Sequence, residues 1–304
     1  MASSIDRGGH RLSAAVCRRE LRRRLIRRRV GARNEDGSIR FPNRGVAAAA
    51  LNWSRAKQDF LETGEQHLLT KDLSRVFEVF EIPTAEQDEW AWLANGATAP
   101  GWWDRYGEAD LSAIDPIFMG YEWGCRRLQS YTGGILYGLV QTREYGAARI
   151  RSGLVQRSSQ QITRMNEIRE QRKAVLGGAD PLDFHLIFDE SVLHRDAGPG
   201  VMAAQIAYML ELVESHPNVT LQVMPYSSGI YPALAGSFTL MDFGFDGDDG
   251  LVNLEPGLAD SIYVEDTQQL YLYSQMFENM AEARAASPEE SIDMLRRAHA
   301  RSPR

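Results

Sequence analysis

The stretch Leu51-Asn-Trp-Ser-Arg-Ala-Lys-Gln-Asp-Phe-Leu-Glu-Thr-Gly64 decides how the amino-terminal third of the chain is read. Ser54 stands where a helix N-cap belongs, with a hydroxyl free to accept a backbone N–H one turn on. Gly64 stands where that helix should stop, because glycine enters the left-handed region at little cost. Upstream, Val46 to Leu51 is alanine-rich and favours helix. Two short helices meeting at Asn52–Trp53 predict a helix-turn-helix.

Working outward, residues 1–10 read as a flexible tail, and a helix is expected from Ser13 to Val30 with Val16, Leu21, Leu25 and Ile26 as its apolar positions. Ala32 to Gly45 is rich in turn residues and reads as an insert at 32–45. Thr70 is expected to cap a helix through Phe80, and Thr84 with Gln87 to form a capping box for another through Leu93. Residues 96–111 form an aromatic linker anchored by Trp102, Trp103 and Tyr106.

Asp115 followed by Pro116 opens the second domain as N-cap and first helical residue. Helices are expected at 116–130, 142–152, 159–176, 199–215, 266–283 and 288–299. Phe184 to Phe188 and Val219 to Met224 read as strands around the 199–215 helix, a βαβ unit with a right-handed crossover. Ser237 to Phe243 and Leu251 to Glu255 flank the acidic loop 244–250 and suggest a hairpin.

The fold class that follows is an all-α helix-turn-helix domain at 11–95, then an α+β domain at 112–304 with a small mixed sheet covered by helices. At 304 residues the chain is long enough for two cores. No run approaches the ~18 apolar residues of a membrane span. Cys17 and Cys125 match no metal or disulfide spacing, which points to a reducing cytoplasm. No HExxH or HxxxH spacing exists and no phosphate-cradling glycine loop, so neither metal nor cofactor is expected. Charge is uneven. Residues 1–44 hold thirteen arginines against four acids, a net of +9, while the remainder carries −16. Either this arginine-rich start faces a polyanion, or it is a solvated helix packed on the protein's own acidic domain.

Further along the chain stand Gly101-Trp-Trp103, Tyr121-Glu122, Gly138-Leu-Val-Gln-Thr142 with Tyr145, Asp189-Glu190, Pro217-Asn-Val-Thr220 to Pro225, and Ser287-Pro-Glu-Glu-Ser291. Together with Leu51–Gly64, and in this order over about residues 45 to 295, the chain resembles XRE-type helix-turn-helix proteins of the actinomycete WhiJ-like regulator family. The resemblance includes the domain of unknown function that accompanies that motif. It implies a DNA-binding amino-terminal domain and a regulatory carboxyl-terminal one. Members of the family read close to "LGWSRSKVSRIE.G" at the motif and join their first two helices more tightly than the 32–45 insert allows. Here the central "VSR" is Gln58, Asp59 and Phe60. Gln58 puts an amide at a core position, which costs up to a few kcal/mol, about the price of an unpaired buried amide. Asp59 sets a carboxylate near phosphates, a repulsion of about 1 kcal/mol at ~4 Å in water. Phe60 removes a cation that would contact the DNA backbone.

In such a regulator Asn52, Arg55 and Lys57 would face DNA, with Arg22, Arg23 and Arg27 on phosphates. Tyr121, Trp123, Tyr137, Gln141, Tyr145, Tyr226 and Tyr231 are the candidate lining of a pocket for a flat ligand, although aromatics are more often core. Glu122, Glu190, Glu255 and His194 are the candidates for acid–base chemistry, and for each singly a cap or an ion pair is the commoner role. The expectation is a cytoplasmic, dimeric, DNA-binding regulator controlled by a small molecule or protein partner. The alternatives are a descendant that has lost its operator and binds or converts a small molecule without a cofactor, and an antitoxin-like module holding a small acidic protein.

Overall fold

The computed structural model describes residues 11–107, 115–255 and 261–302. The chain divides into two compact units, up to Asp104 and from Arg105. The expected tail at 1–10, residues 108–111 of the expected linker and the first residues of the expected second domain, 112–114, lie outside the described residues.

The first unit is helical: α1 (Ala14–Gly31), α2 (Arg44–Leu51), α3 (Arg55–Thr63), α4 (Leu73–Val79) and α5 (Thr84–Gly96). Ser13 caps α1 by accepting from the Val16 N–H. Val16, Leu21 and Leu25 join Leu51, Leu61, Val76, Trp90 and Leu93 in the core. Asn52 adopts the left-handed conformation, φ 57°, and lets the Trp53 N–H reach back to the Ala48 carbonyl at 2.8 Å. This tight reversal sets α3 against α2. Ser54 then accepts from the Lys57 N–H at 3.1 Å, and Gly64 ends α3 at φ 88°.

The 32–45 segment contains a small hairpin, bridged at Arg33 and Ile39, beyond which Phe41 is buried edge-on against Phe80 at 5.2 Å. Two local expectations are corrected, the caps at Thr70 and Thr84. Thr70 opens a short 3-10 turn and donates to Asn95, so it does not cap α4, which begins at Leu73. Thr84 is the first residue of α5 behind Pro83, without a side-chain cap, and Gln87 donates to the Ile82 carbonyl. Proline fixes the entry to that helix, leaving the threonine inside it.

The second unit holds α6 (Pro116–Gly124), β1 (Arg127–Thr132), α7 (Arg143–Arg151), α8 (Ser159–Arg172), β2 (Asp183–Asp189), α9 (Val201–Ser215), β3 (Val219–Met224), β4 (Phe238–Asp242), β5 (Leu251–Leu254), β6 (Ile262–Val264), α10 (Thr267–Ala283) and α11 (Pro288–Arg301). The mixed six-stranded sheet runs β3-β2-β1-β4-β5-β6. Strands β1, β2 and β3 are parallel, and β4, β5 and β6 add antiparallel. The α9 crossover and the β4–β5 hairpin stand where the sequence puts them.

The expected helix 116–130 stops at Gly124, and the chain turns directly into β1, a central strand absent from the sequence reading. Its buried Ser130 finds lateral partners, bonding the Phe238 carbonyl at 3.3 Å and the Thr239 hydroxyl at 2.9 Å, while the Thr132 hydroxyl is left without one. Strand β6 was likewise not foreseen. One face of the sheet presents Tyr131, Ile187, Phe238 and Val252 to Leu270, Phe277 and Met280 of α10. Phe184, pointing the other way, packs on Tyr137, while α9 and α11 pack against β3.

Candidate ligand and nucleic-acid sites

In the first unit the question is what α3 offers outward. Arg55 is 80% exposed, with Asp59 at 3.7 Å one turn on. Lys57 lies over the Trp53 ring at 4.2 Å and pairs with Asp72 at 2.7 Å, so its charge is partly spent inside the unit. Asp59 is also 3.5 Å from Arg44. Phe60 remains exposed. Asn52 is exposed too, and its backbone makes the turn. Gln58 is buried as expected but finds a partner: its amide N–H donates to Glu62 at 2.6 Å, and only its carbonyl oxygen is left without one.

The arginine helix resolves largely inward. Glu20, fully buried, accepts from Arg23 at 2.8 Å and Arg24 at 2.6 Å. Arg24 also reaches Glu89, and Arg28 reaches Glu86. Arg29 grips both oxygens of Glu62, which Arg44 meets as well. Burial pushes the Glu62 carboxyl up, but the hydrogen bonds from Arg29, Gln58 and Arg44 outweigh it and hold the group below its ordinary value. Arg23 is therefore a strut of this unit; Arg22 is half-buried and also interacts within the protein, and only Arg27 of the three named α1 residues is exposed, though not without a partner.

In the second unit the polar groups gather beyond the carboxyl ends of β1, β2 and β3, the edge where ligands of parallel sheets are commonly held. Asp189 ends β2. One oxygen accepts from the Ser191 N–H at 2.9 Å, and the other from the Tyr231 hydroxyl at 2.6 Å, itself 2.8 Å from the Tyr131 hydroxyl. Burial pushes Asp189 up, yet the bonds from Ser191 and Tyr231, with Arg195 nearby, hold it below the ordinary carboxylate value. Burial and the Asp189 contact push the Tyr231 hydroxyl far up. The Asp189 carboxylate is held on both oxygens, and the chain braces β1 and β2 to the loop that carries Tyr231.

Next to it the geometry is open. Glu190 accepts from the Tyr226 N–H at 2.9 Å and lies 3.6 Å from the His194 ring, which stacks on Tyr226 at 5.8 Å. His194 also lines a cavity of about 260 Å³ with Leu193, Arg195, Met202, Ala298 and Arg301. The loop after β2 and the ends of α9 and α11 build this cavity.

The other sequence candidates are dispersed. Tyr121 packs between Phe243 and Tyr263, and Trp123 is half-buried on the same helix. Tyr137 and Tyr145 are core, Gln141 is buried with its amide on the Leu136 carbonyl, and only Tyr226 is exposed. These seven residues do not share one pocket. The ring-rich segments alternate between buried faces of different elements, which spacing alone does not separate. Glu122 is buried in a bidentate pair with Arg172, both distances 2.7 Å, and also accepts from the Tyr137 hydroxyl. The ion pair that the sequence reading allows for this carboxylate is thus made, with an arginine fifty residues away. Glu255 is exposed after β5, three strand positions from Glu190, so the two carboxylates form no catalytic pair. Arg195 and Arg301 carried no signal in the sequence, because only the fold brings residues so far apart to one cavity.

Residues 117–297 match the model of a family described as Domain of unknown function (DUF5753). No curated protein and no solved structure matches the chain. Among the described residues no helix is long and apolar enough to cross a membrane.

Proposed function

The chain belongs to the DUF5753 family, and from that premise we propose that it is an XRE-type, WhiJ-like transcriptional regulator whose carboxyl-terminal unit takes a small molecule. The observation that carries this reading is the α2–α3 pair: two short helices, a left-handed Asn52 between them, and a capped α3 with Arg55 outermost. Polar side chains on the early turns of such a second helix are the ones that meet base edges and phosphates. A dimer would double this modest contact surface over two half-sites.

The test is a fluorescence-anisotropy titration of the full chain with duplex from upstream of its own gene and with scrambled duplex. Tighter binding to the first, lost in Arg55→Glu, is the expected result. Equal binding to both sinks the reading.

A second reading is favoured by the internal engagement of Lys57 with Asp72 and of Asp59 with Arg44. In it the motif is a relic, and the protein works as a small-molecule binder. Undiminished ligand response in a chain that never retains DNA distinguishes it.

A further inference from the structure

We propose that the cavity between the loop after β2 and the ends of α9 and α11 takes a small organic anion, held by Arg195 and Arg301 over an apolar floor. This deepens the reading of the second unit as ligand-binding. Arg195 and Arg301 come from positions more than a hundred residues apart, yet both line the same cavity. Neither guanidinium makes an ion pair or hydrogen bond with the described residues, whereas the α1 arginines are held by partners. Asp196 is the one carboxylate on the lining, and one of its oxygens already accepts from the Gly198 N–H at 2.8 Å. Arg195 lies near Asp189 without bonding to it, and Glu190 stands 3.6 Å from His194, so the lining itself presents two guanidinium groups without bonded partners against one occupied carboxylate.

Below the rim, Leu193, Met202, Ala203 and Ala298 supply an apolar floor. A volume of about 260 Å³ suits a short acid better than a bulky or polyanionic ligand. The first turn of α9 adds donors without carrying the argument: Gly200 precedes it with no side chain to cap it. A carboxylate between two guanidinium groups makes charge-assisted hydrogen bonds, the strongest kind available to it in water. Its short alkyl tail would cover Met202 and Ala298.

The experiment is isothermal titration calorimetry of the full chain with butyrate, butanol and butylamine at low ionic strength. Saturable binding of butyrate alone is expected, weakened about tenfold in Arg195→Gln or Arg301→Gln and abolished in the double variant R195E/R301E. Arg151→Gln, an exposed arginine on α7 away from the cavity lining, should change nothing. Amide ¹H–¹⁵N spectra should shift at Met202 and Ala203 when butyrate is added. No saturable butyrate heat, binding that survives R195E/R301E in a protein of unchanged Tm, or equal binding of butanol overturns the proposal. Butyrate binding in a chain that ignores DNA upholds the proposal and removes the regulator. DNA release by some other molecule, with butyrate silent, does the opposite.

Discussion

At the scale of single residues, two neighbouring arginines of α8 show how burial and partnership separate. Arg172 is buried and bidentate to Glu122, whose charge outweighs the burial and pushes the guanidinium pKa up. Arg169 is 2% exposed and donates to Asn166, its Nε unpartnered, and burial beside Arg172 and Arg149 holds it down to about 9. Removing one member of a buried pair strands the other charge, so Arg172→Met should cost about 3–5 kcal/mol in urea unfolding. The double variant E122Q/R172M should cost clearly less than its singles combined. Arg169→Met, which strands no charge, should stay within about 1 kcal/mol of the parent protein. Acid should act through Glu62 and Asp189. Both carboxyls titrate lower in the fold than their ordinary 4.5 and 3.8, so their stabilisation is complete above that range and disappears as pH falls through the lowered values. A stability–pH profile of Glu62→Gln should accordingly be flatter below about pH 4.5 than that of the parent chain; an unchanged slope would remove Glu62 from the account.

Among the elements, α3 is the best marked in sequence and the easiest to test. Ser54→Ala removes the only side-chain cap of that helix and should cost about 1 kcal/mol by thermal or urea unfolding. Asn52→Gly keeps the left-handed turn and should leave stability unchanged or slightly raised, while Asn52→Val strains it by about 1 kcal/mol or more. If Asn52→Gly folds normally but loses discrimination between promoter and scrambled duplex, the asparagine amide reads bases and does more than make the turn. Other elements were legible for equally local reasons. Asp115 caps α6 ahead of Pro116, and Ser287 with Glu290 forms a capping box at α11. Strand β1 was not, because Arg127-Leu-Gln-Ser-Tyr-Thr132 has little apolar alternation, and the buried Ser130 hydroxyl finds its partners only on the neighbouring strand. The same limit applies to Thr70 and Thr84, whose spacing fits a cap while the backbone starts the helix elsewhere.

For the molecule as a whole, charge is the relevant quantity. Residues 1–104 hold seventeen basic and fourteen acidic side chains, net +3, and residues 105–304 hold seventeen and twenty-seven, net −10. Much of the amino-terminal positive charge is consumed by Glu20, Glu62, Glu86 and Glu89. If the proposed DNA-binding reading holds, few cations are left for phosphates and the affinity should depend only weakly on salt. Arg55→Ala should lower the slope of log affinity against log salt by about one, whereas Arg23→Ala should leave the slope alone and destabilise the unit instead. Equal effects of the two would mean that α1 does lie on phosphates.

By itself the sequence determined the caps at Ser54, Asp115 and Ser287, the stop at Gly64, the βαβ unit, the β4–β5 hairpin and the α+β character of the second unit. Those features depend on neighbours a few residues away, or on a periodicity visible in one segment. Tertiary structure alone decided that arginines of α1 meet glutamates of α3 and α5, that a polar hexapeptide becomes a central strand, and that Arg195 and Arg301 share a cavity. Each of these depends on which distant residue arrives within a few ångströms, and a charge or a hydroxyl takes its meaning from that partner.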